Sequence, residues 1–284
     1  MKLLCGALVL LLLPTWMSAA DAGLAVTHID HAGFLITAGD TKVLVDALTY
    51  GSPRWSYKAP SKELREKMEK GEPPFDGIQL LLVSHAHGDH FGPPPVVSFL
   101  LKNPKATLVT TPEVRALAKK WVGNFPKVAD RVVAPELEWK QSVSREINGV
   151  RLEIARLKHG NDKEWPAIVY SFLLDLGGKK VLYAAGTEGS FPEEYRELGW
   201  AKRGIDLAFL GGTDLMVQFG DSNSSAQLSA GGIRTVRDLI APKIPVMMHI
   251  TPERTAAVEK AWPELQKQLP GLVWFRQEME SRTF

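Results

Sequence analysis

Ser84-His85-Ala86-His87-Gly88-Asp89-His90-Phe91-Gly92 is the stretch on which the rest of the chain is read. His85, His87, Asp89 and His90 place four metal-capable side chains within six residues, as H-x-H-x-D-H. The stretch follows Ile78 to Val83, an apolar run that reads as a fully buried strand, and Gly92 with Pro93 to Pro95 closes it. A stiff strand delivers His85 to its carboxyl end. The loop then turns, so that the alternate side chains His85 and His87 point to one place and Asp89 and His90 to a neighbouring one. Neutral imidazoles with a carboxylate suit Zn²⁺ or a similar first-row divalent ion. The chain has 7 His, and three of them fall here, which argues against a chance polar loop.

Composition narrows the alternatives. The chain has 284 residues, 45% hydrophobic and 23% charged, which is ordinary globular usage for one large domain or two small ones. A formal net charge of +2 with no dense Lys/Arg block offers neither a nucleic-acid groove nor an anionic-membrane surface. The N-terminus reads separately. Lys2, an apolar run from Leu3 to Leu13, Pro14 and the small residues Ser18-Ala19-Ala20 have the layout of a secretory signal peptide over residues 1–20. The run is short for a bilayer span, which needs ~20 apolar residues. The expected mature product is a single domain, 21–284, exported to a periplasmic or extracellular space and without a stable membrane anchor. Cys5, the sole cysteine, leaves with the signal, so neither disulfides nor thiolate ligands are expected.

Along the chain, Ala25 to Ile29, Gly33 to Thr37 and Lys42 to Asp46 read as short strands, with Gly39-Asp40 as the turn between the last two. Thr49 to Gly77 is a polar insertion with a charged helical piece over Ser61 to Lys70. Its Trp55 and Tyr57 fit either a lid over a site or a solvated excursion. A helix near Val96 to Leu101, a strand from Ala106 to Thr110, and a helix started by Thr111-Pro112-Glu113 follow, the last with Val114, Leu117 and Trp121 at helical spacing. Further strands are expected at Val150 to Ile154, Ala167 to Leu176, Lys180 to Ala184, Ile205 to Leu210, Ile244 to Met248 and Leu272 to Phe275. Helices are expected near Ala226 to Ile240 and after Thr251-Pro252-Glu253, the latter bent by Pro263. This alternation indicates an α/β layered structure. His159 and His249 each end a strand, where ligands gather in α/β sheets.

The H-x-H-x-D-H motif resembles the signature of the metallo-β-lactamase superfamily. His31-Ala32-Gly33-Phe34-Leu35-Ile36 with Val43-Leu44-Val45-Asp46 looks like the opening of its ascorbate-6-phosphate lactonase-like branch. The resemblance implies an αββα four-layer sandwich, a first zinc on His85, His87 and His159, and a second on Asp89, His90 and His249. It places His31 and Asp46 beside the metal pocket. Lys158, next to His159, reads either as a substrate-binding residue or, the better fit, as an exposed strand-end lysine. One departure stands out. Where many members carry a bridging Asp in a G-D-T segment, this chain has Gly186-Thr187-Glu188. Either Glu188 bridges the two ions or water does so alone, and the second ion is then expected to be held more weakly.

Such a centre implies hydrolysis of a small, anionic ester, lactone or phosphoester. Metal lowers the pKa of bound water toward ~7, and the resulting hydroxide attacks while Asp89 orients it and carries its proton. A β-lactam-hydrolysing enzyme and a metal-binding member without turnover are the competing readings. Oligomeric state is not legible in the chain.

Overall fold

The structure is a computed structural model and describes residues 23–51, 57, 59–159, 167–184, 192–212 and 230–284. The first sheet holds β1 (Leu24–His28), β2 (Phe34–Ala38), β3 (Thr41–Val45), β4 (Leu80–Leu82), β5 (Thr107–Val109) and β6 (Val132–Val133). The second holds β7 (Ser142–Ile147), β8 (Val150–Lys158), β9 (Ile168–Leu176), β10 (Lys179–Ala184), β11 (Leu207–Gly211), β12 (Ile244–Met248) and β13 (Val273–Trp274). A last strand, β14 (Ser281–Thr283), returns to pair with β1. The strand orders are β14-β1-β2-β3-β4-β5-β6 and β13-β12-β11-β10-β9-β8-β7. Both sheets change from antiparallel to parallel pairing in the middle, at β3–β4 in one and β10–β11 in the other.

The central strands are apolar on both faces, and the period of two sends alternate residues to two different cores. In β2, Phe34 and Ile36 enter the layer between the sheets, while Leu35 turns to the outer layer. In β11, Leu207 and Phe209 point inward, and Ala208 and Leu210 outward. The inner layer closes on Phe34 and Phe209, ring centroids 4.6 Å apart, with Tyr183 5.9 Å beyond Phe209. Three helices, α1 (Lys62–Lys70), α2 (Pro93–Lys102) and α3 (Pro112–Trp121), cover the outer face of the first sheet. The outer face of the second is covered by α4 (Pro192–Leu198), by α5 (Ala230–Arg234, continuing as a π-helical turn Thr235–Ile240) and by α6 (Thr255–Gln268). The expected α/β class and αββα layering are therefore observed.

Caps behave as their residue types dictate. Ser61 and Thr111 accept from Leu64 N at 3.3 Å and Val114 N at 3.2 Å, and Gly71 ends α1 in the left-handed region. Four expectations need correction. The second half of the 49–77 insertion is not a solvated excursion, because Leu64, Met68 and Phe75 are buried against α2 and the first sheet. Trp121 does not share the buried face of α3; it is 66% exposed beside Lys120, and Val114 and Ala118 face the core instead. Thr251 makes no side-chain cap at the start of the final helical region, inside which Pro263 lies. The strand read at Ile78 to Val83 is the shorter Leu80–Leu82. The segments 1–20 and 226–229, with Trp55, lie outside the described residues. Among the described residues no helix is long and apolar enough to cross a membrane.

Phe209 sits at the centre of the inner layer and is fully buried. Phe209→Ala should cost about 3–5 kcal/mol of unfolding free energy; urea denaturation followed by circular dichroism measures it.

Candidate metal centre

The site lies where β1, β3, β4, β8 and β12 end, and one carboxylate organises it. Asp46 follows β3 with φ 45, in the left-handed region that a non-glycine residue enters at a cost. Its side chain is fully buried and accepts four hydrogen bonds. Oδ1 accepts Ser84 N at 2.8 Å, and Oδ2 accepts Ser84 Oγ at 2.5 Å, His90 Nδ1 at 2.7 Å and the Tyr183 hydroxyl at 2.9 Å. Tyr183 comes from β10, and its single hydroxyl proton is shared between Asp46 Oδ2 and the Ala32 carbonyl at 2.8 Å, so the second sheet is tied into this knot. Tyr170 N donates to Ser84 O at 2.9 Å, and His249 N to His31 O at 2.6 Å, giving two more ties between the sheets at the site.

These bonds fix tautomers. Asp46 can only accept, so His90 carries its proton on Nδ1 and presents Nε2 to the site. Ser84 Oγ spends its single proton on Asp46. It must then accept from His85 Nδ1, 2.9 Å away, so His85 also presents a bare Nε2. That Nε2 is buried with no hydrogen-bond partner. An orphaned lone pair of this kind is costly unless a cation meets it.

Two groups of donors converge. His85, His87 and His159 form the first, their ligand nitrogens within 4.8 Å of one another and their rings 4.5–5.0 Å apart. The second comprises His31, Asp89, His90 and His249, again within 4.8 Å. Here His249 Nε2 lies 3.1 Å from His90 Nε2 and 3.2 Å from Asp89 Oδ2, and Asp89 Oδ2 is 3.6 Å from His90 Nε2. The two groups adjoin, with the His85 and His90 rings 4.0 Å apart. The loop that brings them together is a tight turn. His90 N and Phe91 N both donate to His87 O, at 3.0 and 2.9 Å, and Gly92 N donates to Leu48 O at 2.9 Å. His249 has φ 64, the second site residue in a strained conformation. Gly33 admits no side chain in the loop behind His31, since a Cβ there would meet Ala47 Cα at 2.9 Å.

The electrostatics favour a cation. Burial lowers His85 well below the usual imidazole value, and it lowers His249 and His31 too, the last to about 4, so these rings are neutral with lone pairs available. Burial alone would raise Asp89, but the His90 ring, the bond from His249 and the nearby His31 ring outweigh it and hold the carboxylate far below its normal range. Burial likewise works to lower His90, and Asp89 and Asp46 overcome it. The field that draws a proton to His90 also draws a metal. The residues present fit the ions that the sequence motif implies.

All the expected ligands among the described residues meet here: His85, His87, His159, Asp89, His90 and His249. His31 and Asp46 are present as well, Asp46 as the holder of ligands. Glu188, with Gly186 and Thr187, lies outside the described residues. Lys158 ends β8 beside His159. Its ammonium lies 3.6 Å from the centre of the Trp139 ring, and the side chain is exposed, as a strand-end lysine is expected to be. Trp139 Nε1 and Lys158 N both donate to the buried Glu194. Sequence reading missed Ser84 and Tyr183. Ser84 had a signal, its place between a buried strand and the first ligand. Tyr183, a tyrosine inside an apolar strand, had none. Tyr57, read only as a lid aromatic, stacks on His31 at 4.4 Å and bonds His249 Nδ1 through its hydroxyl at 2.8 Å.

An αββα sandwich with two adjoining imidazole and carboxylate clusters at its strand ends has the architecture of the metallo-β-lactamase fold. The chain belongs to the β-lactamase superfamily: the model of the "Beta-lactamase superfamily domain" matches residues 41–261. Among curated proteins it is 33% identical over 89 residues to a UPF0173 metal-dependent hydrolase of Chelativorans, a match covering 31% of this chain and 32% of that one. It is 28% identical over 194 residues to a UPF0173 metal-dependent hydrolase of Thermus thermophilus, covering 65% and 69%. In fold it resembles Igni18, a metallo hydrolase from Ignicoccus hospitalis, with a TM-score of 0.57, 13% identity, and coverage of 92% of this chain and 98% of that one.

Asp46 serves one ligand in each group, so its loss should be felt twice. Asp46→Asn should weaken both metal equivalents by ~10–100-fold. Calorimetric titration of apo-protein with Zn²⁺ checks this, and a loss confined to one equivalent would disprove the shared role.

Proposed function

We propose that this protein is a metal-dependent hydrolase with zinc as its resident ion, two per chain. It acts on a small anionic ester, lactone or phosphoester, in the manner of the lactonase-like branch that its opening residues resemble. The observation that carries the reading is the bare, buried Nε2 of His85 facing His87 and His159, beside a second group built on Asp89. Neutral nitrogen donors of this type are the ligands zinc prefers. The family match and the UPF0173 relatives support hydrolysis.

Bound metal supplies Lewis acidity and acidifies water at neutral pH. The chain does the rest. His85, His87 and His159 bind through nitrogens whose orientation is set for His85 by the Ser84–Asp46 relay. Asp89, held as an ionised carboxylate, can accept a hydrogen bond from the attacking water and orient it. Two dications against Asp89 leave the centre positive, which favours an anionic substrate. Tyr57 stands over His31 and His249 and limits approach from that side.

His85→Ala or His87→Ala should reduce hydrolysis to background, because each removes one of three donors from the first group. Purified protein of known metal content, assayed on a panel of lactones, carboxylesters, phosphodiesters and β-lactams, tests the class. Turnover of β-lactams alone would replace this reading with the β-lactamase one. Metal binding with no turnover across the panel would leave a binding protein.

The layout of residues 1–20 supports export, with cleavage after Ala20 or Ala22. N-terminal sequencing of protein recovered outside the cytoplasm should begin at Asp21 or Gly23. A cytoplasmic product that retains Met1 would refute it.

A further inference from the structure

The geometry points to His31 as a fourth protein ligand of the second metal position, beside Asp89, His90 and His249; the inference rests on the metal-centre reading above. His31 Nε2 lies 3.6 Å from Asp89 Oδ2, the oxygen that also faces His249 Nε2 at 3.2 Å and His90 Nε2 at 3.6 Å. His90 Nε2 and His249 Nε2 are 3.1 Å apart. Such spacings are close to the edge of a tetrahedron of donors about a divalent ion, about 3.3–3.6 Å for bonds of ~2.0–2.2 Å, and the His31 ligand atom lies within 4.8 Å of those of His90 and His249.

His31 is otherwise unexplained. It is buried, and neither ring nitrogen has a hydrogen-bond partner. An imidazole confined without a partner forfeits the bonds it made with water. Nothing in packing demands it, because a phenyl ring would stack on Tyr57 as well. The loop is nonetheless locked from three sides: Tyr57 stacks at 4.4 Å, His249 N bonds its carbonyl at 2.6 Å, and Gly33 permits close passage of Ala47.

The far side of the ring completes the case. Nδ1 lies 3.7 Å from Asp30 Oδ1, and Asp30 Oδ2 is itself buried without a partner. With Nε2 on a metal, Nδ1 carries the proton and faces a carboxylate, the outer arrangement that metal-bound histidines use. His90 already has that arrangement with Asp46. Asp30 and His31 would be its counterpart.

His31 also bears on the missing bridging Asp. Three imidazoles and Asp89 make a complete tetrahedral set from the protein alone. The second position then needs no contribution from the 186–188 segment, and the expected weakness of the second ion disappears.

The test is Zn²⁺ titration of the apo-forms of wild type, His31→Phe and His31→Ala, with melting of each apo-protein to check folding. Wild type should bind two equivalents. Both variants should keep the first and lose at least ~10-fold in affinity for the second. His31→Phe keeps the stacking on Tyr57, so wild-type affinity in that variant would reduce His31 to a wall residue and overturn the inference. A second readout uses unmutated protein loaded with Co²⁺. The proton spectrum should show a shifted ring N–H for each of the six histidines in the two groups; five would overturn the assignment. No metal uptake by wild type would instead remove the metal-centre reading itself.

Discussion

The Asp46 carboxylate is the point on which the site depends. It is buried between two sheets, and its charge is compensated by donors from three places: Ser84 after β4, His90 in the metal loop and Tyr183 on β10. A carboxylate so placed is tolerable only because every one of those donors is present. In return it sets which nitrogen of His90 and of His85 is bare. The strained backbone at Asp46 and His249 fits this view, since both residues sit where a strand ends and a side chain must turn into the shared cavity.

The fold places these groups through its layering. Each sheet changes from antiparallel to parallel at its middle, so both present strand ends to the same edge of the sandwich. The first sheet supplies His31, Asp46 and the H-x-H-x-D-H loop; the second supplies His159 and His249. The inter-sheet bonds Tyr170 N to Ser84 O and His249 N to His31 O close that edge. The site is thus a property of the docked pair of sheets, and either sheet alone lacks a complete donor group.

Much of this was legible in the chain. The short-range motif gave away four donors because its residues are adjacent in sequence, and strand-end position gave His159 and His249. Strands buried on both faces were visible as apolar runs. Two edge strands were not: β7 reads Ser-Val-Ser-Arg-Glu-Ile, mostly exposed, and β14 is three exposed residues. Such strands are held by backbone pairing, which leaves no side-chain period to read. Trp121 misled because the last turn of α3 overhangs the core, so helical spacing there carries no burial. Ser84 reaches Asp46 across 38 residues and Tyr183 reaches it across 137, and no local pattern encodes either bond.

The pairing of β1 with β14 and of His31 with His249 also bears on how the molecule forms. These contacts join segments some 220 to 260 residues apart in the chain. Contacts of such separation close late, after their loop entropy has been met by nearer ones. On that ground the second donor group is expected to assemble after the H-x-H-x-D-H loop has ordered on the first sheet. Ion capture at that group therefore reports that both halves have docked. During biogenesis, a partly folded chain would hold metal only loosely, and full retention would mark the finished molecule.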